Sequence, residues 1–135
     1  MQQVKDYLNK EDVVCAVYHN GSVYTAGESG IKPIMQWIQE TPKMLKGALI
    51  ADKVVGKAAA LLMVYGGVEE VYAGVISEPA CEALEQNGIP FTYGKKVPNI
   101  INRAGDDICP MEKCCLEIND SKQAYEALKK KIGGK

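Results

Sequence analysis

The spacing of apolar positions along the chain predicts alternating helices and strands. Val4, Tyr7 and Leu8 recur at helical spacing and mark a short helix over residues 2–9. Residues 12–19 (DVVCAVYH) and 22–26 (SVYTA) are compact and β-branched. They flank Asn20-Gly21, the dipeptide that most strongly marks a hairpin turn. GESG (27–30) reads as a loop. Pro33 opens a helix to about Gln39, with Ile34, Trp37 and Ile38 as its inner stripe, and Thr41-Pro42 ends it. Residues 44–46 add a turn.

From residue 47 to 65 the chain is apolar almost throughout, broken by Asp52, Lys53 and Lys57. It reads as a lead-in over 47–51 and a helix from Asp52 to about Tyr65, stopped by Gly66-Gly67. EVYAGVIS (70–77) is apolar on both alternating faces, the pattern of a central strand. A helix follows over 78–88, with Pro79 in its first turn and Gly88 past its end. Residues 89–97 read as a strand, 98–107 as a loop and 109–118 as the start of a short helix. The last helix, 120–132, turns Ala124, Tyr125, Leu128 and Ile132 inward. This order predicts one domain over residues 1–135, a sheet sandwiched between helices.

Composition narrows the function classes. The 47% apolar and 24% charged fractions are those of a globular protein. A net charge of -1 leaves no electrostatic footprint for duplex nucleic acid. The longest apolar run, 58–65, is too short to span a bilayer, and MQQVKDYLNK lacks the apolar core of a signal peptide. Five cysteines, an odd number, argue against a disulfide framework. These features predict a cytoplasmic protein with no membrane or duplex partner.

Two boxes carry a resemblance. Ile50-Ala51-Asp52, and Pro79-Ala80-Cys81-Glu82-Ala83 after Ser77-Glu78, resemble the paired zinc boxes of the cytidine deaminase superfamily. The resemblance implies that the ligand positions fall on Ile50, Ala80 and Ala83, and the proton shuttle on Asp52. None of those three side chains has a lone pair for a metal, and Cys81 stands about 100° round the helix from the ligand position. No metal and no cofactor are therefore expected. ADKVVGKAAALL, GVISEPACEAL and NRAGDDICPME together are similar to an uncharacterised family, domain of unknown function 1893. That likeness implies a cytidine deaminase-like fold without zinc: a three-layer α/β/α sandwich around a mixed sheet. It also implies self-association through helices, hence a homo-oligomer.

Asp52 reads either as a plain helix N-cap or as part of a pocket. In the pocket reading Lys53 and Lys57, four residues apart on one helical face, hold an anion beside the helix N-terminus. The plainer reading leaves Lys53 at the rim and Lys57 snorkelling to solvent. Gly56, placed inside that helix, reads as a close approach of helix and sheet. Cys109, Pro110 and Glu112 occupy N-cap, N1 and N3, a capping box with a thiol in place of the usual hydroxyl. Helix N-termini stabilise thiolates, so Cys109 is a candidate nucleophile. Asn102 and Arg103 in the preceding loop are candidate ligand contacts; the plainer reading pairs Arg103 with Asp106 or Asp107. Cys15, Cys81, Cys114 and Cys115 read as core, and His19 as a surface hairpin residue.

The leading expectation is a protein that binds a small anionic ligand, such as a nucleotide. The ligand would sit over the helices starting near Asp52 and Pro79, against Lys53, Lys57, Asn102 and Arg103. The resemblance, rather than spacing, sets that loop beside the helix. One alternative is a metal-independent enzyme with Asp52 as base and Cys109 as nucleophile. The other is an interaction module with a vestigial pocket.

Overall fold

A computed structural model describes residues 2–10, 12–28, 31–101, 105 and 107–133. A first helix, α1 (Gln2–Lys5), runs into a 3-10 turn over Asp6–Asn9. Asn20 and Gly21 both adopt left-handed φ values, 49° and 83°, which makes the tight turn between β1 (Cys15–His19) and β2 (Ser22–Ala26). Then come α2 (Lys32–Glu40), α3 (Pro42–Leu45), β3 (Leu49–Val55), α4 (Lys57–Gly66), β4 (Glu70–Ser77), α5 (Glu78–Gln86), β5 (Phe91–Val97), α6 (Pro110–Cys115) and α7 (Ser121–Gly133).

The five strands form one mixed sheet in the order β2-β1-β3-β4-β5. β1 is antiparallel to both β2 and β3, whereas β3, β4 and β5 run parallel. The parallel steps β3-α4-β4 and β4-α5-β5 advance in the same direction across the sheet. With right-handed crossovers both helices therefore land on one face, where they pack together.

The main core lies on that face, with Ile50, Val71 and Ile76 from the sheet against Ile34, Leu61, Leu62, Leu84 and Leu128. Tyr65 on α4 stacks on Tyr125 of α7, centroids 4.7 Å apart. The other face carries a smaller cluster of Val4, Val13, Ala16 and Ala51, flanked by Tyr7, Leu8, Tyr18 and Tyr72. The architecture is thus α/β with helices on both faces, and among the described residues the second layer is α1 and its 3-10 turn. The side chain of Ile132 lies outside the described residues. Among those residues no helix is long and apolar enough to cross a membrane.

The principal correction concerns residues 49–66. The helix expected from Asp52 starts five residues later, at Lys57, and Asp52 belongs to β3. A strand buried on both faces shows no alternation, and a helix buried all round shows no stripe. Here the two abut. Every residue of α4 from Lys57 to Met63 is buried, so apolar pattern alone could not divide it from β3. Gly56 is consequently the N-cap of α4 and not an interior residue. The far end fits the expectation: Gly67 takes φ 82° and its N–H closes on the carbonyls of Met63 and Val64.

Candidate functional site

α4 and α5 begin side by side where β3 and β4 end, the edge of a parallel sheet at which α/β folds place ligands. α5 is capped locally: the Ser77 hydroxyl oxygen accepts a hydrogen bond from the Ala80 N–H at 3.2 Å. At α4, Gly56 has no side chain to offer. The missing acceptor comes from far along the chain. Glu112, on α6 and 1% exposed, accepts the Lys57 N–H at Oε1 over 2.7 Å. The same oxygen accepts the Ser77 hydroxyl at 2.5 Å, and Oε2 accepts the Ile100 N–H. One buried carboxylate thus joins the start of α4, the cap of α5 and the chain leaving β5. Its charge suits the positive ends of both helix dipoles.

Gly56 leaves room for this contact. A Cβ there would stand 3.1 Å from Glu112 Oε1 and 3.1 Å from Ile100 Cγ1. Gly56→Ala is therefore expected to destabilise the domain by about 1–2 kcal/mol in urea denaturation, the usual cost of overpacking a closed site. A neutral result would mean that the carboxylate yields freely.

Lys57 is 6% exposed, and its ammonium faces inward. Nζ donates to the Leu116 carbonyl at 2.8 Å and to Asn119 Oδ1 at 3.1 Å. Leu116 is the C-cap of α6, so the cation closes the negative end of that helix. Both the snorkelling Lys57 and the ligand-facing Lys57 of the sequence reading give way to a structural tie. Lys53 is on β3, not α4, and its Nζ donates to the Lys10 carbonyl at 3.3 Å. The two lysines therefore do not share a helical face.

Asp52 is a mid-strand residue opposite Cys15 on β1 and Ala73 on β4, 3% exposed, and so not a helix N-cap. Burial pushes its carboxyl up to about 7, opposed by hydrogen bonds from the backbone of Val54 and Lys53 and from the Cys15 thiol. The Cys15 thiol is pushed well up in turn, first by burial and then by the Asp52 charge beside it.

Cys109 is the N-cap of α6 and Pro110 its first residue, as the pattern predicts. The capping box does not form. The half-buried thiol makes no cap, the Cys109 N–H goes to the Ile100 carbonyl at 2.8 Å, and Glu112 turns away to α4. Asp107 pairs with Lys113 at 3.0 Å, which holds its carboxyl below the usual range. Asn102 and Arg103 lie outside the described residues, as does Asp106. Cys115 is fully buried, its thiol pushed up to about 12 by burial and by Cys114. Burial also raises Cys81. His19, half-buried, closes the hairpin with Asn20 Nδ2 at 3.1 Å from its Nε2.

Of the zinc-box positions, Ile50 is a core residue of β3, and Ala80 and Ala83 are buried on α5. Among the described residues no three His, Cys, Asp or Glu side chains come together as a metal-holding group. Sequence reasoning missed Ser77, Asn119 and the true role of Glu112. The available signal was that Glu112 shares a helical face with Cys115, three residues on, so the carboxylate had to point into the core.

Comparison with known proteins gives a family and a fold. No curated protein matches the chain. The crystal structure of a DUF1893 family protein (TM1506) from Thermotoga maritima is similar, with a TM-score of 0.85 and 31% sequence identity, over 93% of this chain and 85% of that one. Residues 3–132 match the profile of DUF1893, a domain of unknown function, so the chain belongs to the DUF1893 family.

Proposed function

We propose that this domain is a non-catalytic interaction module built on a zinc-less, cytidine deaminase-like scaffold. The deaminase-like reading is supported by two parallel βα units whose helices start side by side. Ala80 and Ala83 at the start of α5 are hydrocarbon, and Ile50 lies inside β3 instead of at the start of α4, so neither box supplies a zinc ligand.

The observation that carries the interaction reading is Glu112. Its carboxylate occupies the donors at the starts of α4 and α5, where a ligand's anion would bind. Among the described residues no buried side-chain polar atom lacks a hydrogen-bond partner, so the site is internally complete. The enzyme reading draws less support: the polar partners of Asp52 all come from β1 and β3, and α6 has its own backbone ties at Cys109. Five free thiols suit a reducing compartment such as the cytoplasm.

A second reading is favoured by the chemistry of the donors. The N–H groups of Lys57 and Ile100 and the Ser77 hydroxyl are those a phosphate uses, so a small anion such as a nucleotide would have to take the place of Glu112. Thermal unfolding with inorganic phosphate and nucleoside monophosphates separates the two. The interaction reading expects no saturable rise in Tm. A ligand at 100 times its Kd would add about 2.7 kcal/mol. Such a rise, weakened in Ser77→Ala, which removes the one side-chain donor of the set, would replace the interaction module with a ligand-binding domain.

A further inference from the structure

The sheet ends at β2, and the hairpin turn decides which backbone groups of that strand are left over. His19 and Ser22 flank the turn as a hydrogen-bonded pair, so Ser22, Tyr24 and Ala26 bond to β1. Val23 and Thr25 then turn their N–H and C=O groups to the open side. Natural edges are usually blocked by lysine, proline or a bulge. SVYTA carries no lysine or proline, and its register with β1 is unbroken from Ser22 to Ala26.

A groove of about 450 Å³ runs beside this edge, between β2 with its continuation Gly27-Glu28 on one side and α2 on the other. Tyr24, Trp37 and Met44 give it apolar walls. Its lining includes two acidic residues, Glu28 and Glu40, and no basic one. The Gln36 amide holds Glu40, donating to its carboxylate at 3.4 Å. An open strand edge facing a helix across a groove is the arrangement by which domains add a peptide strand.

We propose that this groove binds an extended peptide segment of a partner protein. The segment pairs with Val23 and Thr25, sets an apolar side chain against Trp37 and Met44, and directs lysine or arginine to Glu28 and Glu40. The acidic lining selects the occupant. A second copy joined through β2 would bring another Glu28 and no lysine or arginine from that strand, which is electrostatically unfavourable. The inference rests on the interaction-module reading and names the surface that would serve it.

Trp37 is the only tryptophan, so its fluorescence reports the groove directly. The probe is a capped pentapeptide of lysine, valine, leucine, valine and lysine, titrated into the full chain at low salt. A saturable shift of the Trp37 emission is expected. The same peptide with glutamate at both ends should bind about tenfold more weakly, and the Glu28→Lys/Glu40→Lys double variant should reverse that order. Methylating the peptide's backbone nitrogens should abolish the shift. No saturable change up to millimolar peptide, or equal responses to the lysine, glutamate and N-methylated peptides, overturns the proposal. So does a concentration-dependent shift in the protein alone that tracks dimer formation in light scattering. These failures leave the interaction reading standing on another surface, whereas a nucleotide-induced Tm rise removes that reading without reference to the groove.

Discussion

Glu112→Ala is expected to cost about 4 kcal/mol or more, enough to leave a domain of ordinary stability close to unfolding. The substitution leaves the Lys57 N–H, the Ile100 N–H and the Ser77 hydroxyl without their acceptor. A buried donor without a partner costs about 1–3 kcal/mol. Two of these donors sit at the starts of α4 and α5, so the loss reaches the helices that form the main core. Glu112→Gln keeps the volume and one acceptor oxygen but sets an amide among donors, and should cost about 2 kcal/mol. Urea denaturation at neutral pH ranks the variants. Formate should raise the Tm of Glu112→Ala and leave the wild type unchanged, because the alanine variant offers a carboxylate-sized space with its donors in place. If Glu112→Ala lies within about 1 kcal/mol of wild type, water satisfies the donors and the carboxylate does not hold the site together.

The elements legible in the sequence are those whose signals are local. Asn20-Gly21 determines its hairpin because only residues tolerant of positive φ fit that turn. Pro79 and Gly88 bracket α5 for equally local reasons. The region that carries the site was not legible in this way. Asp52 and Lys57 are polar breaks in an apolar run, and such breaks normally mark a helix start or an exposed face. Here both are buried. Lys57 is tied to residues 55, 59 and 62 positions away, and no local pattern announces such partners. The same cause misassigned Glu112. Its spacing from Cys109 satisfies a capping box, but the donors at α4 and α5, brought near by the fold, captured the carboxylate instead. The family resemblance was legible because it rests on whole motifs. The helix start set at Asp52 was wrong, because β3 runs on to Val55.

Asp52→Asn should change the pH dependence of stability, with its largest effect in mild alkali. In the unfolded chain the carboxyl titrates near 3.9. In the folded chain burial on β3, between β1 and β4, raises it to about 7. The folded state therefore favours the protonated acid. The group's favourable contribution is complete below about pH 4, falls as pH rises, and is gone above about pH 7. At about 1.36 kcal/mol per pH unit, ionising Asp52 in place costs about 4 kcal/mol. Asparagine has the same shape, keeps an acceptor for the Val54 N–H, and carries no charge at any pH. The variant and wild type should therefore be equally stable near pH 4 and diverge steadily, the variant ahead by up to about 4 kcal/mol at pH 8. Urea denaturation of both proteins at pH 4, 6 and 8 reads this directly, since groups not coupled to Asp52 cancel in the difference and the buried Cys15 thiol, pushed well up, stays protonated over this range. Parallel curves across that range would mean that Asp52 is solvated or paired when charged. A wild type that outlasts the variant at pH 8 would mean that the Lys53 and Val54 N–H groups stabilise the carboxylate more than burial disfavours it.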